Sequence, residues 1–174
     1  QEYMDTYEID KDSADDKVAV VTVEGTITRG EIQPGVAGAD GLARLIRSAH
    51  EDEDVKALVV RVNSGGGGVM ASEIIRDEIQ RAKSKGINVV VSMGDVAASG
   101  GVWIATPAEY IFAEPTTITG SIGVAIAFPT FENTMDEIGI NFDGVVTTKN
   151  AGWDLNQAMP PEIKAAIQDD TVKV

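Results

Sequence analysis

Two glycine-rich segments hold the residue types from which acyl-transfer chemistry is built: Asn63-Ser64-Gly65-Gly66-Gly67-Gly68 and Ala97-Ala98-Ser99-Gly100-Gly101. A serine in a tight turn of small residues between a strand and a helix exposes its hydroxyl. It also aims the following N–H groups at whatever it attacks, the logic of a nucleophile elbow. The same dipeptide also suits an ordinary serine N-cap. Four consecutive glycines cost chain entropy that packing alone does not call for. They let backbone approach a ligand with unpaired N–H groups, as an oxyanion or a phosphate requires, or else form a flexible turn. The phosphate alternative lacks its fingerprint, since there is neither a lysine-bearing P-loop nor a GxGxxG followed by an acid.

An attacking serine needs a base. His50 is the single histidine, at the end of an amphipathic helix beside Glu51-Asp52-Glu53-Asp54, and it reads as a solvated surface residue. A Ser-His-Asp triad within the chain is therefore not expected. Cysteine is absent, which excludes a thiol nucleophile, disulfides and zinc-thiolate sites. The remaining chemistry is a Ser-Lys dyad, in which a lysine held away from carboxylates loses its proton near neutral pH and acts as general base. Lys11, Lys17, Lys83, Lys85 and Lys173 sit in charged or chain-end settings, and Lys56 and Lys164 on element surfaces. Lys149 follows Val145-Val146-Thr147-Thr148 and has one acid, Asp154, within five residues. It is the candidate base, the alternative being an exposed loop lysine.

The elements that must position these groups follow from hydrophobic period. Lys17 to Gly25 is a β-branched run ending in glycine, expected as a strand buried on both faces. Leu42, Leu45, Ile46 and Ala49 make a helical stripe, Val55 to Val62 a second strand, and Ala71, Ile74, Ile75, Ile79 and Ala82 another helical stripe. Ile87 to Met93 is a third strand, with a small-residue turn and a short apolar helix after it. Further along, Tyr110 to Ala113 reads as strand, Phe131, Met135 and Ile138 as helix, Phe142 to Thr147 as a last strand, and Pro160-Pro161 as the start of a final helix. Strand, helix, strand, glycine loop, helix, strand predicts an α/β fold with mainly parallel strands. Both glycine-rich segments then fall at carboxyl ends of strands, where such folds bind ligands.

The chain has 174 residues, 43% of them apolar, enough for one ordinary globular core. Its formal charge of −14 disfavours a nucleic-acid or anionic-membrane surface. Residues 1–16 carry seven acids against Lys11 and read as a solvated leader, with the folded domain at 17–174. No stretch reaches the ~18 to 20 apolar residues of a membrane span, and any signal or anchor is expected outside this sequence. No metal-ligand cluster and no nucleotide fingerprint is present, so no metal or cofactor is expected.

Four segments together resemble the signal peptide peptidase A (protease IV) family of the Clp-protease/crotonase superfamily. They are Arg61-Val-Asn-Ser-Gly-Gly-Gly-Gly68, Val91-Ser-Met-Gly-Asp-Val-Ala-Ala-Ser-Gly-Gly-Val-Trp-Ile-Ala105, Thr119-Gly-Ser-Ile-Gly123 and Ala158-Met-Pro-Pro-Glu162. The resemblance implies a spiral of ββα units and homo-oligomeric assembly. It also implies a serine endopeptidase anchored in the cell membrane, facing the periplasm or cell exterior, that cleaves signal peptides left after secretion. Ser99 then corresponds to the nucleophile, Gly66 with Gly100 (or the N–H of Ser99) to the oxyanion hole, and Ser121 to a serine that orients the catalytic lysine. The substrate cleft is expected to include Val69, Met70, Val102 and Trp103. The family usually has Pro at Gly65 and often Ser at Gly68, so this loop departs from the pattern.

In compact members Ser and Lys belong to one repeat, and Lys149 stands where that lysine belongs. In two-repeat members the C-terminal repeat supplies Ser and the N-terminal repeat Lys. Gly38-Ala-Asp-Gly41, Met159-Pro-Pro-Glu162 and the acidic leader look more like that C-terminal repeat, which would make this chain half of a dyad. Two other classes stay open: a non-catalytic or half-site assembly repeat, and a crotonase-type acyl-CoA enzyme, which the acidic surface disfavours because CoA carries phosphates.

Overall fold

The computed structural model describes residues 16–125, 127, 129–148 and 151–172. The acidic leader up to residue 15 and Lys149 lie outside the described residues. The chain divides into two compact units, one ending at Ile122 and the other beginning at Gly123.

The first unit opens with β1 (Lys17–Glu24), β2 (Thr26–Thr28) and β3 (Val36–Gly38), then α1 (Ala39–Glu51) and β4 (Val55–Ser64). It continues with α2 (Val69–Ser84), β5 (Asn88–Ala98), the single-turn α3 (Gly100–Trp103), β6 (Tyr110–Phe112) and β7 (Ile118–Gly120). The main sheet runs β1-β4-β5-β6, with β7 also paired to β5, and every pairing is parallel. β2 and β3 form a small parallel sheet of their own. This is the mainly parallel α/β architecture expected from the alternation of periods.

Burial shows where the core lies. Val21 and Val23, Leu58, Val60 and Val62, and Val89, Val91 and Met93 project from one face of the sheet onto Leu42 and Ile46 of α1 and Ile75 and Ile79 of α2. β1 is not buried on both faces as its composition suggested. It is the edge strand, and Val18 and Val20 are 62% and 65% exposed. β-branched residues favour a strand whether or not both faces are covered, so the run specified the strand but not its cover.

β5 is longer than expected. The segment Gly94 to Ala98, read as a turn, continues the strand, because β7 pairs with Val96, Ala97 and Ala98 and extends the ladder. The Asn63 side-chain carbonyl accepts from Val96 N–H at 3.2 Å where the β4–β5 register shifts. The catalytic candidate thus stands at the end of an eleven-residue strand, not midway through a loop.

The second unit contains α4 (Glu132–Glu137) and α5 (Pro161–Val172). Pro161 is the first residue of α5, where its missing N–H costs nothing. The strand expected at Phe142 to Thr147 does not form: these residues are irregular, and Val145 is 99% exposed. A short run with apolar and β-branched residues needs a ladder partner to become a strand, and none pairs with it among the described residues.

Candidate active site

Ser99 is half-buried, immediately after β5 and immediately before α3. Its backbone has φ 49° and ψ −117°, one of two non-glycine residues with positive φ among the described residues; Ser121 (φ 51°) is the other. Such a conformation costs on the order of 1–3 kcal/mol and persists where surrounding structure over-determines it. Here Ser99 N–H donates to Gly120 O at 2.8 Å, while Ser99 O accepts from Val102 and Trp103 N–H at 2.9 and 3.0 Å. The serine is therefore not a side-chain N-cap; no such hydrogen bond closes α3.

The glycine loop is pinned, not flexible. Ile27 of β2 holds it like a short parallel strand: Ile27 N–H donates to Gly66 O at 3.0 Å, and Gly68 N–H donates to Ile27 O at 2.9 Å. Ser64 Oγ donates to Gly25 O at 2.6 Å and accepts from Gly66 N–H at 3.1 Å. A Cβ on Gly67 would collide with Ile27 O, so this close approach requires glycine.

The two glycine segments meet. A Cβ on Gly66 would lie 2.6 Å from Gly100 N and 2.9 Å from Ser99 Cβ, and one on Gly100 would lie 3.3 Å from Gly67 N and collide with Ser72 Oγ. Two amides consequently lie beside the serine. Among the described residues neither Gly67 N–H nor Gly100 N–H has an acceptor, whereas Gly66 N–H, the expected oxyanion donor, is held by Ser64 Oγ. Spacing alone could not separate Gly66 from Gly67; the hydrogen bond from Gly66 N–H to Ser64 Oγ does.

Ser121 follows β7 as Ser99 follows β5, and it is exposed beside the site. Of the expected cleft residues, Val69 and Met70 are exposed on the first turn of α2, and Val102 and Trp103 are half-buried on α3. The Trp103 indole N–H donates to Glu73 Oε2 at 2.6 Å. Glu73 also receives Arg76 in a two-pronged pair at 2.6 and 2.8 Å. Arg76, together with Trp103 and against the opposing effect of burial, pulls the Glu73 carboxyl down to about 2. Sequence reasoning did not single out Glu73 or Arg76, since charged residues on a helix usually face water.

The described lysines of this unit are far from Ser99. Lys17 binds Asp52 and Asp54, Lys56 donates to Glu53 O, Lys83 to Pro107 O and Lys85 to His50 Nδ1. All four lie at the end of the sheet where β4 and β5 begin, roughly 30 Å along the strands from their carboxyl ends. Lys149 lies outside the described residues.

His50 departs from its reading as a solvated residue. It is buried, with Nε2 2.8 Å from Glu78 Oε1 and Nδ1 2.9 Å from Lys85 Nζ. An ammonium only donates, so Nδ1 accepts and the neutral ring donates from Nε2 to Glu78. Glu78, also buried, receives Arg47 at 2.6 Å and Arg81 at 3.0 Å. This network ties α1 to α2 at the end of the sheet opposite Ser99. A cavity of about 450 Å³ beside it, lined by His50, Lys56, Lys85 and Asn88 among others, is equally remote from the serine.

A half-buried serine on a strained strand-to-helix turn lies beside two open amides at the carboxyl end of a parallel α/β sheet, an arrangement of the kind that acyl-transfer chemistry uses. The chain belongs to peptidase family S49, which it matches over residues 81–171. It is 55% identical over 135 residues to Protease 4 of Haemophilus influenzae and 49% identical over 151 residues to Protease 4 of Salmonella typhi. Those alignments cover 78% and 87% of this chain but 22% and 24% of the relatives, so it spans about a quarter or less of their length. Its fold is shared with a mutant of the 1510-N membrane-bound stomatin-specific protease solved with a substrate peptide, at TM-score 0.52 and 21% identity. That likeness covers 87% of this chain and 56% of the solved one. Among the described residues no helix is long and apolar enough to cross a membrane, and no cluster of His, Asp and Glu could hold a metal ion.

Proposed function

We propose that this chain carries the nucleophile and oxyanion site of a serine peptidase of the Ser-Lys type. The observation that carries the proposal is the juxtaposition of Ser99, in its positive-φ turn, with the open amides of Gly67 and Gly100. A peptide carbonyl placed over the serine is attacked by Oγ, whose proton passes to a neutral lysine amine. The oxyanion of the tetrahedral adduct accepts from the Gly67 and Gly100 N–H groups, with Gly67 in the place first given to Gly66. The same amine, now protonated, donates to the leaving nitrogen, and water then releases the acyl group from Ser99. Ser121 holds that amine.

The base comes from Lys149 or from another repeat or subunit, a reading supported by the engagement of Lys17, Lys56, Lys83 and Lys85 elsewhere. The two-repeat form makes this chain a half-site that needs assembly for turnover. The substrates are apolar peptides, with signal peptides left in or near the membrane as the class implied by the family. In the longer protein, a membrane anchor and a homo-oligomeric ring would place the site at the periplasmic or outer face.

The test is covalent labelling of the assembled, full-length protein with a fluorophosphonate, followed by mapping of the adduct. Label on Ser99 that disappears in Ser99→Ala is the expected result. Unchanged labelling in Ser99→Ala would sink the assignment. Lys149→Ala then tests the base: loss that wild-type subunits cannot complement assigns it to Lys149 acting within its own chain, and retained labelling removes Lys149 as the base.

A further inference from the structure

α3 is a single turn, and a helix that short has no stability of its own. Yet it carries Gly100, whose amide must face the same point as that of Gly67, and its first backbone hydrogen bonds are made to Ser99 O. Buried Ile104, just beyond it, anchors the depth of the turn, but apolar contact is non-directional and leaves the orientation of the turn unspecified. Ser99 N–H is tied to Gly120 O at the start of the turn, and a second directional tie, also polar, holds its far end. Trp103, whose N–H is bonded to Ser99 O, donates its indole N–H to Glu73, and Arg76 holds that carboxylate from the other side. The Arg76 guanidinium also lies 5.9 Å from the centre of the Trp103 ring. Glu73 follows Ser72, whose hydroxyl packs against Gly100 and donates to Gly68 O at 3.0 Å. One turn of α2 therefore touches both glycine segments.

We propose that Glu73 is a positioning residue for Ser99: through the Trp103 indole it sets the orientation of α3 and so aligns the Ser99–Gly100 turn with the amide of Gly67. Arg76 orients the carboxylate and covers the ring. The inference rests on the peptidase reading for its consequence, but the tie itself is a feature of the fold. Its loss lets the turn rotate by a fraction of an ångström to an ångström, enough to lower acylation without removing any reacting group.

The experiment compares wild type, Glu73→Ala, Glu73→Gln and Trp103→Phe in the assembled full-length protein. Two readouts are taken: hydrogen exchange of the Val102–Ala105 amides and the second-order rate of fluorophosphonate labelling at Ser99. Glu73→Ala is expected to speed exchange at these amides and to slow labelling about 10- to 100-fold. With a peptide substrate, kcat falls while KM stays. Glu73→Gln keeps an acceptor for the indole and stays within about threefold of wild type; Trp103→Phe keeps the ring, loses the donor and behaves like Glu73→Ala.

Unchanged exchange in both Glu73→Ala and Trp103→Phe overturns the tie, whether or not Ser99 reacts. Faster exchange with an unchanged labelling rate overturns the positioning role. Equal loss in Glu73→Gln and Glu73→Ala overturns it also, because charge and not the indole bond would then be at work. Wild type that is never labelled at Ser99 removes the peptidase reading and the positioning role with it, while the exchange result still reports on the tie.

Discussion

Ser99 and Ser121 are equivalent positions on neighbouring parallel strands: Ala98 pairs with Gly120, each serine is the next residue, and both have positive φ, 49° and 51°. Adjacent strands lie about 4.8 Å apart, so the two serines emerge side by side at the carboxyl end of the sheet. In the proposed mechanism an amine arriving from elsewhere would meet both hydroxyls at once. The hydrogen bond from Ser99 N–H to Gly120 O keeps the pair in step.

Ser121→Ala is therefore expected to leave the fold intact and Ser99 present, yet to slow labelling about tenfold or more, the ordinary scale for a misplaced proton-transfer group. Labelling kinetics with the melting temperature as control check it. An unaltered rate would remove Ser121 from the site.

Gly66→Ala is expected to destroy the site. The added methyl would lie 2.6 Å from Gly100 N, and the backbone there has φ +94°, which costs a side chain on the order of 1–3 kcal/mol before any collision. Denaturant unfolding should show a loss of at least that size, with labelling at Ser99 abolished.

Replacement of the remote lysines, Lys56→Ala and Lys83→Ala, should leave the labelling rate within about twofold of wild type, because surface substitutions away from a site rarely change it. A larger loss would mean that one of them reaches Ser99 in the assembly.

His50→Ala deprives buried Glu78 of one of its three partners. The expected cost is about 1–3 kcal/mol of stability, the range for leaving a buried polar group short of a hydrogen bond. Urea unfolding measures it. Labelling of Ser99 in the folded fraction is expected to be unchanged, since the network lies at the other end of the sheet.

Acid should destabilise the first unit in a defined window. Arg76, aided by Trp103, holds the Glu73 carboxyl at about 2 in the folded chain, below its ordinary value of 4.5. The unfolded chain therefore takes up this proton first. The stability contributed is complete above about 4.5 and is lost as pH falls toward about 2. Glu78 acts in the same direction: burial pushes its carboxyl up, but Arg47 and His50 outweigh it and hold it low. Unfolding free energy measured between pH 5 and 2 should fall, and Glu73→Gln should make that fall shallower.

Local sequence was enough for the order of elements. Residues such as Leu42 and Ile46 or Ile75 and Ile79 repeat with a helical period and are buried together, and β-branched runs such as Val55 to Val62 are strands. Period is a property of neighbouring residues, so it survives without knowledge of partners. Phe142 to Thr147 failed for the complementary reason, since a strand exists only where another strand bonds to it.

The chemistry divides the same way. Composition excluded cysteine and left His50 as the sole histidine, and Ser99 stood out because small residues around a serine are a local signal. That the glycine loop is held rather than free depends on Ile27, some 40 residues earlier in the chain, which bonds both Gly66 O and Gly68 N–H. The burial of His50 depends on Glu78, and the orientation of Trp103 on Glu73. Hydrogen-bond direction is set by whichever group tertiary packing brings within about 3 Å, and one-dimensional order does not contain that distance.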